Sequence, residues 1–258
     1  MLLKDKVVVL SGVGPGLGQA IAVQAAAAGA DLVLAARTES KLEEVAKLVS
    51  NLGRRAVCVR TDITVEEDRA RLVETALAEF GRVDTLVNNV FAMPTMKDMS
   101  AVDVDFVRAS FETNVLATLR LTQHCTPALV EAQGSIIFIG SAVIRHSRRT
   151  FGTYKMAKAS LLAYAQSLSS ELGPKGVRVN TIAPSYIWAD LLKAYFSYLG
   201  SKRGVTADDV YQEISAQIDL RRLIEPDEIA DVVVFLASHL ARAITGQCLD
   251  VNGGEFHA

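Results

Sequence analysis

The amino-acid sequence predicts an α/β fold: one doubly wound, mostly parallel sheet of about seven strands with helices on both faces, forming a single domain over residues 1–258. Three observations carry this. Short apolar runs at 7–10, 31–36, 56–60, 84–88 and 135–140 read as strands buried on both faces. Between the first four lie helix-forming stretches joined by loops of a few residues, the alternation that builds a parallel sheet. Finally, Ser11, Arg37, Asp62 and Asn89 each fall just past a strand, at the carboxyl edge where ligands of such sheets bind.

In chain order, VVVL at 7–10 leads into SGVGPGLG at 11–18, and residues 17–28 are Ala-rich helix material. Strand, glycine turn and helix aim unpaired backbone N–H groups and a positive helix end at one point, which favours an anion. Glycine is required there because a side chain would hold a phosphate off the backbone. The spacing G-x-x-x-G-x-G from Gly12 differs from the commonest dinucleotide fingerprint, and a ligand-free tight turn is the plainer alternative. Gly29 caps the helix, and DLVLAA follows as the second strand. Where an acidic residue would accept the adenosine ribose hydroxyls, the chain has Ala36 and then Arg37. Arg37 faces a 2′-phosphate in one reading, favouring NADP(H) over NAD(H), and is a solvated loop arginine near Glu39 in the other.

Residues 40–52 form the second helix, and Asp62 after the third strand either bonds an adenine amino group or caps the helix at 64–80. A Met-bearing loop at 91–100 precedes a long helical region at 101–132, in which Asn114 is an ordinary polar residue or opens the helix to a water. Ser141 ends the fifth strand. Tyr154 and Lys158 lie four residues apart, on one helix face. An ammonium about 4 Å from a phenol favours phenolate by roughly 4 kcal/mol at an effective dielectric near 20, and half of that lowers the phenol pKa by roughly 1.5. A tyrosine so tuned exchanges a proton with an alcohol or carbonyl oxygen.

SGVGPGLG, Asn88-Asn89, Asn114, Ser141 and YKMAK, in this order, resemble the short-chain dehydrogenase/reductase family, and the resemblance runs from residue 7 to ITGQCLDVNGG near 253. It implies a Rossmann-type fold and hydride transfer between a nicotinamide cofactor, NADP or NAD, and a secondary alcohol or ketone. Tyr154 would be the general acid/base. Lys158 would lower its pKa and hold the nicotinamide ribose, Ser141 would bond the substrate oxygen, and Asn114 would keep a relay water. Ser11, Gly12, Gly16, Leu17 and Gly18 would form the pyrophosphate turn, with Asp62 and Ile63 beside adenine and Asn89, Pro184 and Ile187 along the cofactor. The family usually forms homotetramers through the helices bearing Asn114 and Tyr154. A catalytically idle redox sensor, or an epimerase or dehydratase on the same scaffold, are the alternatives. The chain departs from the family at Val90-Phe91 in place of Ala-Gly, at Ser11 for Thr, at Ser185 for Gly, and at Ala189 for a Thr that bonds the carboxamide, which leaves that role to the Ile187 backbone.

Residues 188–217, rich in Leu, Tyr and Phe, read as a helical substrate lid with GSKRG at 200–204 as a flexible link; a buried helix pair or subunit contact is the alternative. Arg145, His146, Arg148 and Arg149 either recognise an acidic substrate or phosphate-bearing carrier, or lie on a solvated loop. His124 and His239 have no chemical role. A helix at 226–238, a strand at 247–251 and an Asn-Gly-Gly turn complete the sheet.

Lys and Arg number 27 against 29 Asp and Glu, so charge gives no reason to expect nucleic acid or an anionic membrane. Cys58, Cys125 and Cys248 show no metal or redox spacing, no metal site is expected, and a reduced cytoplasmic setting fits. MLLKDK is too short and too quickly charged for a signal peptide, and no apolar run spans a bilayer.

Overall fold

The computed structural model describes residues 1–92 and 95–257; Met93 and Pro94, within the loop expected at 91–100, and Ala258 lie outside the described residues. Seven parallel strands form one sheet in the order β3-β2-β1-β4-β5-β6-β7. They are β1 (Val7–Ser11), β2 (Asp31–Ala36), β3 (Ala56–Arg60), β4 (Thr85–Asn88), β5 (Ser135–Ile139), β6 (Arg178–Pro184) and β7 (Cys248–Val251). The order reverses between β1 and β4, which opens a crevice above their carboxyl ends.

Both faces are covered, as continuous apolar strands require. Val8 and Leu10 of β1 pack with α1 (Leu17–Ala27), α2 (Glu39–Asn51) and the late helix Pro226–Ala237, whereas Val7 and Val9 pack with α3 (Glu66–Phe80), α5 (Ala117–Ala132) and α6 (Gly152–Leu172). A third small core, centred on Phe196, Val210, Ile218 and Leu223, joins α7 (Asp190–Arg203) to α8 (Ala207–Ser215). The late helix is α9.

Two expectations are corrected. The helical region begins later, with α4 (Val104–Phe111), and passes into α5 through a π-helical turn at Glu112–Leu116 that contains Asn114. GSKRG is no flexible link. Residues 200–203 belong to α7, and only Gly204, in left-handed conformation at φ 72°, ends it. Gly200 is small because α7 passes the α8 approach there: a Cβ would lie 2.8 Å from the Val205 carbonyl. No described helix is long and apolar enough to cross a membrane.

Candidate active site

The glycine turn is built for close approach. Gly12 sits at φ 99°, and a Cβ on it would lie 2.7 Å from the Asn89 backbone. A Cβ on Gly18 would lie 2.5 Å from the Gly12 carbonyl, so α1 starts hard against the turn. Asn89 ties the turn to β4, donating from Nδ2 to the Gly12 carbonyl at 2.7 Å and from its backbone N–H to Ser11 at 2.9 Å. Gly14 faces open space. The Ser11 hydroxyl is buried without a hydrogen-bond partner, an orphan beside a cradle of free N–H groups. These features fit the pyrophosphate of a dinucleotide.

One cleft of about 1030 Å³ runs from this turn along the carboxyl edge, lined by Leu17, Arg37, Asp62, Ile63, Ser141, Tyr154, Lys158 and Pro184 among others. Gly12, Gly18, Asn89 and Ile187 line it as well. Gly16, at φ 86°, is the N-cap of α1, and Ser11 lies beneath the turn. The sheet order therefore gathers twelve expected site residues from seven separate segments. Asp62 resolves toward neither single alternative: its carboxylate accepts from the Thr64 N–H and hydroxyl, which hold it below the usual carboxylate range, yet it still faces the cleft, where Arg37 helps keep it ionised. The N-cap of α3 is Val65. At Ile187 a parallel bridge commits the Tyr186 carbonyl and the Trp188 N–H to Ile224, which turns the Ile187 N–H the other way.

At the far end stand Ser141, Tyr154 and Lys158. Ser141 Oγ accepts from the Val143 N–H at 3.2 Å, so its own O–H remains free to donate into the cleft. Lys158 is buried, and its Nζ donates to the Ile139 carbonyl at 2.7 Å. Burial lowers its pKa to about 8. Burial also raises the Tyr154 phenol above its ordinary value, while the Ser141 hydroxyl draws it back. The depression of the phenol expected from the neighbouring ammonium does not outweigh burial, which is the leading cause at both groups and pushes each toward neutrality.

Asn114 is buried inside the π-helical turn, and its side chain is fully engaged. Oδ1 accepts from the Ala92 N–H at 2.9 Å, and Nδ2 donates to Ser110 and to the Ala92 carbonyl. It pins the loop that follows β4. There Phe91 meets the Tyr154 ring edge-on at 5.5 Å and lies 5.8 Å from Lys158 Nζ. The sequence marks Phe91 only as bulky, without signalling this contact.

The basic cluster is neutralised. Arg145 pairs with Asp250 at 3.0 Å, Arg148 with Glu255 at 2.8 Å, and Arg149 with Asp98. Of its members, Arg148 and His146 line the cleft, opposite Tyr186, Glu255 and Phe256. Glu255 and Phe256 escape sequence reading because they follow a turn that looks like the end of the last strand. Their only signal is three arginines lacking acidic neighbours at helical spacing. Among the described residues no group of His, Cys, Asp and Glu could hold a metal ion.

Comparison with known proteins defines the class. A family profile described as Enoyl-(Acyl carrier protein) reductase matches residues 12–255. The chain belongs to the short-chain dehydrogenase/reductase family of oxidoreductases. Among individual proteins it is similar to an uncharacterized oxidoreductase of Mycobacterium tuberculosis (37% identity, covering 98% of this chain and 92% of that one). It is also similar to 7alpha-hydroxysteroid dehydrogenase of Escherichia coli K12 (32% identity; 98% and 94% covered). A 7alpha-hydroxysteroid dehydrogenase structure complexed with NADH and 7-oxo glycochenodeoxycholic acid superposes with a TM-score of 0.88 (31% identity; 98% and 94% covered). L-sorbose reductase from Gluconobacter frateurii, complexed with NADPH and L-sorbose, gives a TM-score of 0.93 (28% identity; 100% of each chain).

Proposed function

We propose that this protein transfers a hydride between a nicotinamide cofactor, NADP(H) in preference to NAD(H), and the carbon of a secondary alcohol or ketone, with Tyr154 as general acid/base. The observation that carries this reading is the placement of Ser141, Tyr154 and Lys158 in the same cleft as the glycine turn. The cofactor, when bound, supplies or takes up the hydride. In reduction, Tyr154 gives its proton to the carbonyl oxygen as the carbon becomes an alcohol carbon. Ser141 donates a hydrogen bond to that oxygen, and Lys158 stabilises the phenolate left behind and holds the nicotinamide ribose. Asn114 keeps the loop after β4 in place and would keep a water for the proton relay reaching Lys158.

Gly12, Gly16, Leu17 and Gly18 hold the pyrophosphate, with Asp62, Ile63, Asn89, Pro184 and Ile187 along the rest of the cofactor. The preference for NADP(H) is supported by Arg37 and Lys41, which line the end of the cleft beyond β2 and suit a 2′-phosphate. Residues 188–217 act as the substrate lid, their Leu191, Leu192 and Tyr195 lining the cleft. Exposed Val104, Phe106, Leu116 and Met156 on the helices around Asn114 and Tyr154 support a homotetramer. Three free cysteines suit a cytoplasmic setting.

The test is cofactor oxidation across a panel of ketones with wild type and Tyr154→Phe. The variant is expected to lose at least about 100-fold in kcat/KM while its cofactor Kd, read by fluorescence titration, stays within about threefold. A variant within tenfold of wild type in turnover would overturn the reading.

A further inference from the structure

The substrate half of the cleft contains a charge arrangement that the reaction does not require. Two cationic side chains line this half, Lys158 and Arg148; Arg37 and Lys41 belong to the other end. His146 also lines it, but burial and the adjacent Arg148 hold it below the usual histidine range, so it is neutral at pH 7. Arg148 is held by the protein at both guanidinium ends, with its side chain 39% exposed. Its Nη2 donates to Glu255 at 2.8 Å, its Nη1 to the Tyr186 hydroxyl at 2.9 Å, and its guanidinium lies 5.5 Å from the Phe256 ring. The other carboxylate oxygen of Glu255 accepts from the Ser185 hydroxyl, and the Glu255 side chain is only 5% exposed.

This network is anchored. Asn252 is buried and accepts from the Gly254 N–H at 2.8 Å while donating to the Phe256 carbonyl at 2.9 Å. The Gly253 carbonyl accepts from the Leu220 N–H at 3.0 Å, tying the segment to the chain beyond α8. Ser185 holds the Glu255 carboxylate from the end of β6, at a position where glycine would offer no hydroxyl.

We infer that Glu255 is a specificity-determining residue: a carboxylate supplied by the protein occupies the anion position opposite Arg148, so the pocket accepts uncharged ketones and alcohols and rejects those bearing a carboxylate or phosphate. The physical ground is pairing. An incoming anion that turns to Arg148 must compete with, and sit beside, a carboxylate that already has two partners; like charges side by side in a partly dry cleft repel. An uncharged body meets the apolar wall of Val143, Phe151, Leu191, Leu192 and Tyr195 without disturbing the network.

The inference rests on the hydride-transfer reading above, and its test keeps the two apart. The ratio of kcat/KM for a keto acid to that for its methyl ester is measured, beginning with 4-acetylbenzoate and methyl 4-acetylbenzoate and extending to any keto ester of the panel that wild type reduces. Wild type is expected to favour the ester. Glu255→Gln keeps the shape and can still accept from Arg148 through its amide oxygen, its NH2 now donating to the Ser185 hydroxyl oxygen, but it removes the charge, and it should raise the acid-to-ester ratio about tenfold, the order of one charge-assisted bond. Adding Arg148→Met to it should cancel the gain. Arg148→Met alone leaves Glu255 unpaired toward the pocket and should lower the ratio at least threefold; it decides the matter if thermal unfolding shows that Glu255→Gln is not folded. A rise of threefold or more that Arg148→Met cancels supports the inference. A smaller rise, or one that persists without Arg148, overturns it while leaving hydride transfer intact. If wild type reduces no ketone of the panel, the activity reading falls and this inference falls with it.

Discussion

Two buried charges, one at each edge of the sheet, are treated in opposite ways. At the amino edge Asp84 is 4% exposed, yet it accepts from Arg82 Nε and Nη2, Lys6 Nζ and the Val7 N–H, at 2.6 to 3.0 Å. Burial alone would raise its carboxyl pKa, but Arg82, the Val7 N–H and Lys6 overcome that and hold it below the ordinary value. At the carboxyl edge Lys158 is equally buried and has a single carbonyl partner, so burial drives it toward neutrality, to about 8. The first charge ties the start of β1 to the segment that enters β4. The second has a single hydrogen-bond partner and faces an open cleft. One edge holds a charge satisfied on every side, and the other holds a charge left turned to the cleft.

Removing each charge should therefore move stability in opposite directions. Asp84→Ala strands two cations and the Val7 N–H, and should destabilise by roughly 3 kcal/mol, a fall of about 6–10 °C in Tm for a domain of this size. The wild-type stabilisation from Asp84 is present above the ordinary carboxylate range and is lost as pH falls through its lowered folded-state pKa. The loss on substitution should accordingly be larger at pH 7 than at pH 3, as urea titrations at the two values would read. Equal losses at both would break the contrast.

Lys158→Met should do the reverse in the cofactor-free protein. A lysine moved from 10.5 to about 8 binds fewer protons folded than unfolded, so its burial costs roughly 3 kcal/mol at pH 7, less about 1 for the lost Ile139 bond. The variant should gain about 2 kcal/mol at pH 7 and lose about 1 kcal/mol near pH 11, where only the missing Ile139 bond counts, while losing most turnover. A variant less stable than wild type at pH 7 would show that Lys158 is a structural residue.

Smaller effects probe the cleft between these extremes. Arg37→Ala should weaken NADPH about tenfold, or 1.4 kcal/mol, and NADH hardly at all, as paired titrations would show; equal losses would mean that Arg37 does not meet the 2′-phosphate. Phe91→Gly removes one edge-on aromatic contact with Tyr154, on the order of 1 kcal/mol. It should raise KM for bulky ketones several-fold with little change in cofactor affinity.

How legible each half was follows from what builds it. The cofactor half is made of backbone, and backbone demands show in sequence: apolar runs for strands buried on both faces, and glycines where Gly12 and Gly18 leave no room for a Cβ. The substrate half is made of side chains brought together from afar. Arg148 and Glu255 are 107 residues apart, and no local pattern couples them. The π-helical turn at Asn114 is invisible because apolar periodicity continues through it. Gly200 looked like a hinge because a glycine needed for helix contact and one needed for flexibility read alike. The Tyr154–Lys158 pair was found by spacing, but its electrostatics were not, because spacing says nothing about how dry the pocket is.

The central claim is that the Tyr154 phenol exchanges the proton at the substrate oxygen. Its most direct test is the pH dependence of kcat/KM for ketone reduction, from pH 6 to 11, in wild type and Tyr154→Phe. Above pH 10 wild type should fall along an alkaline limb as the phenol, held above its ordinary value, ionises, and the residual rate of the variant should lack that limb, any fall near pH 8 from Lys158 being common to both. The same limb in Tyr154→Phe would contradict the account.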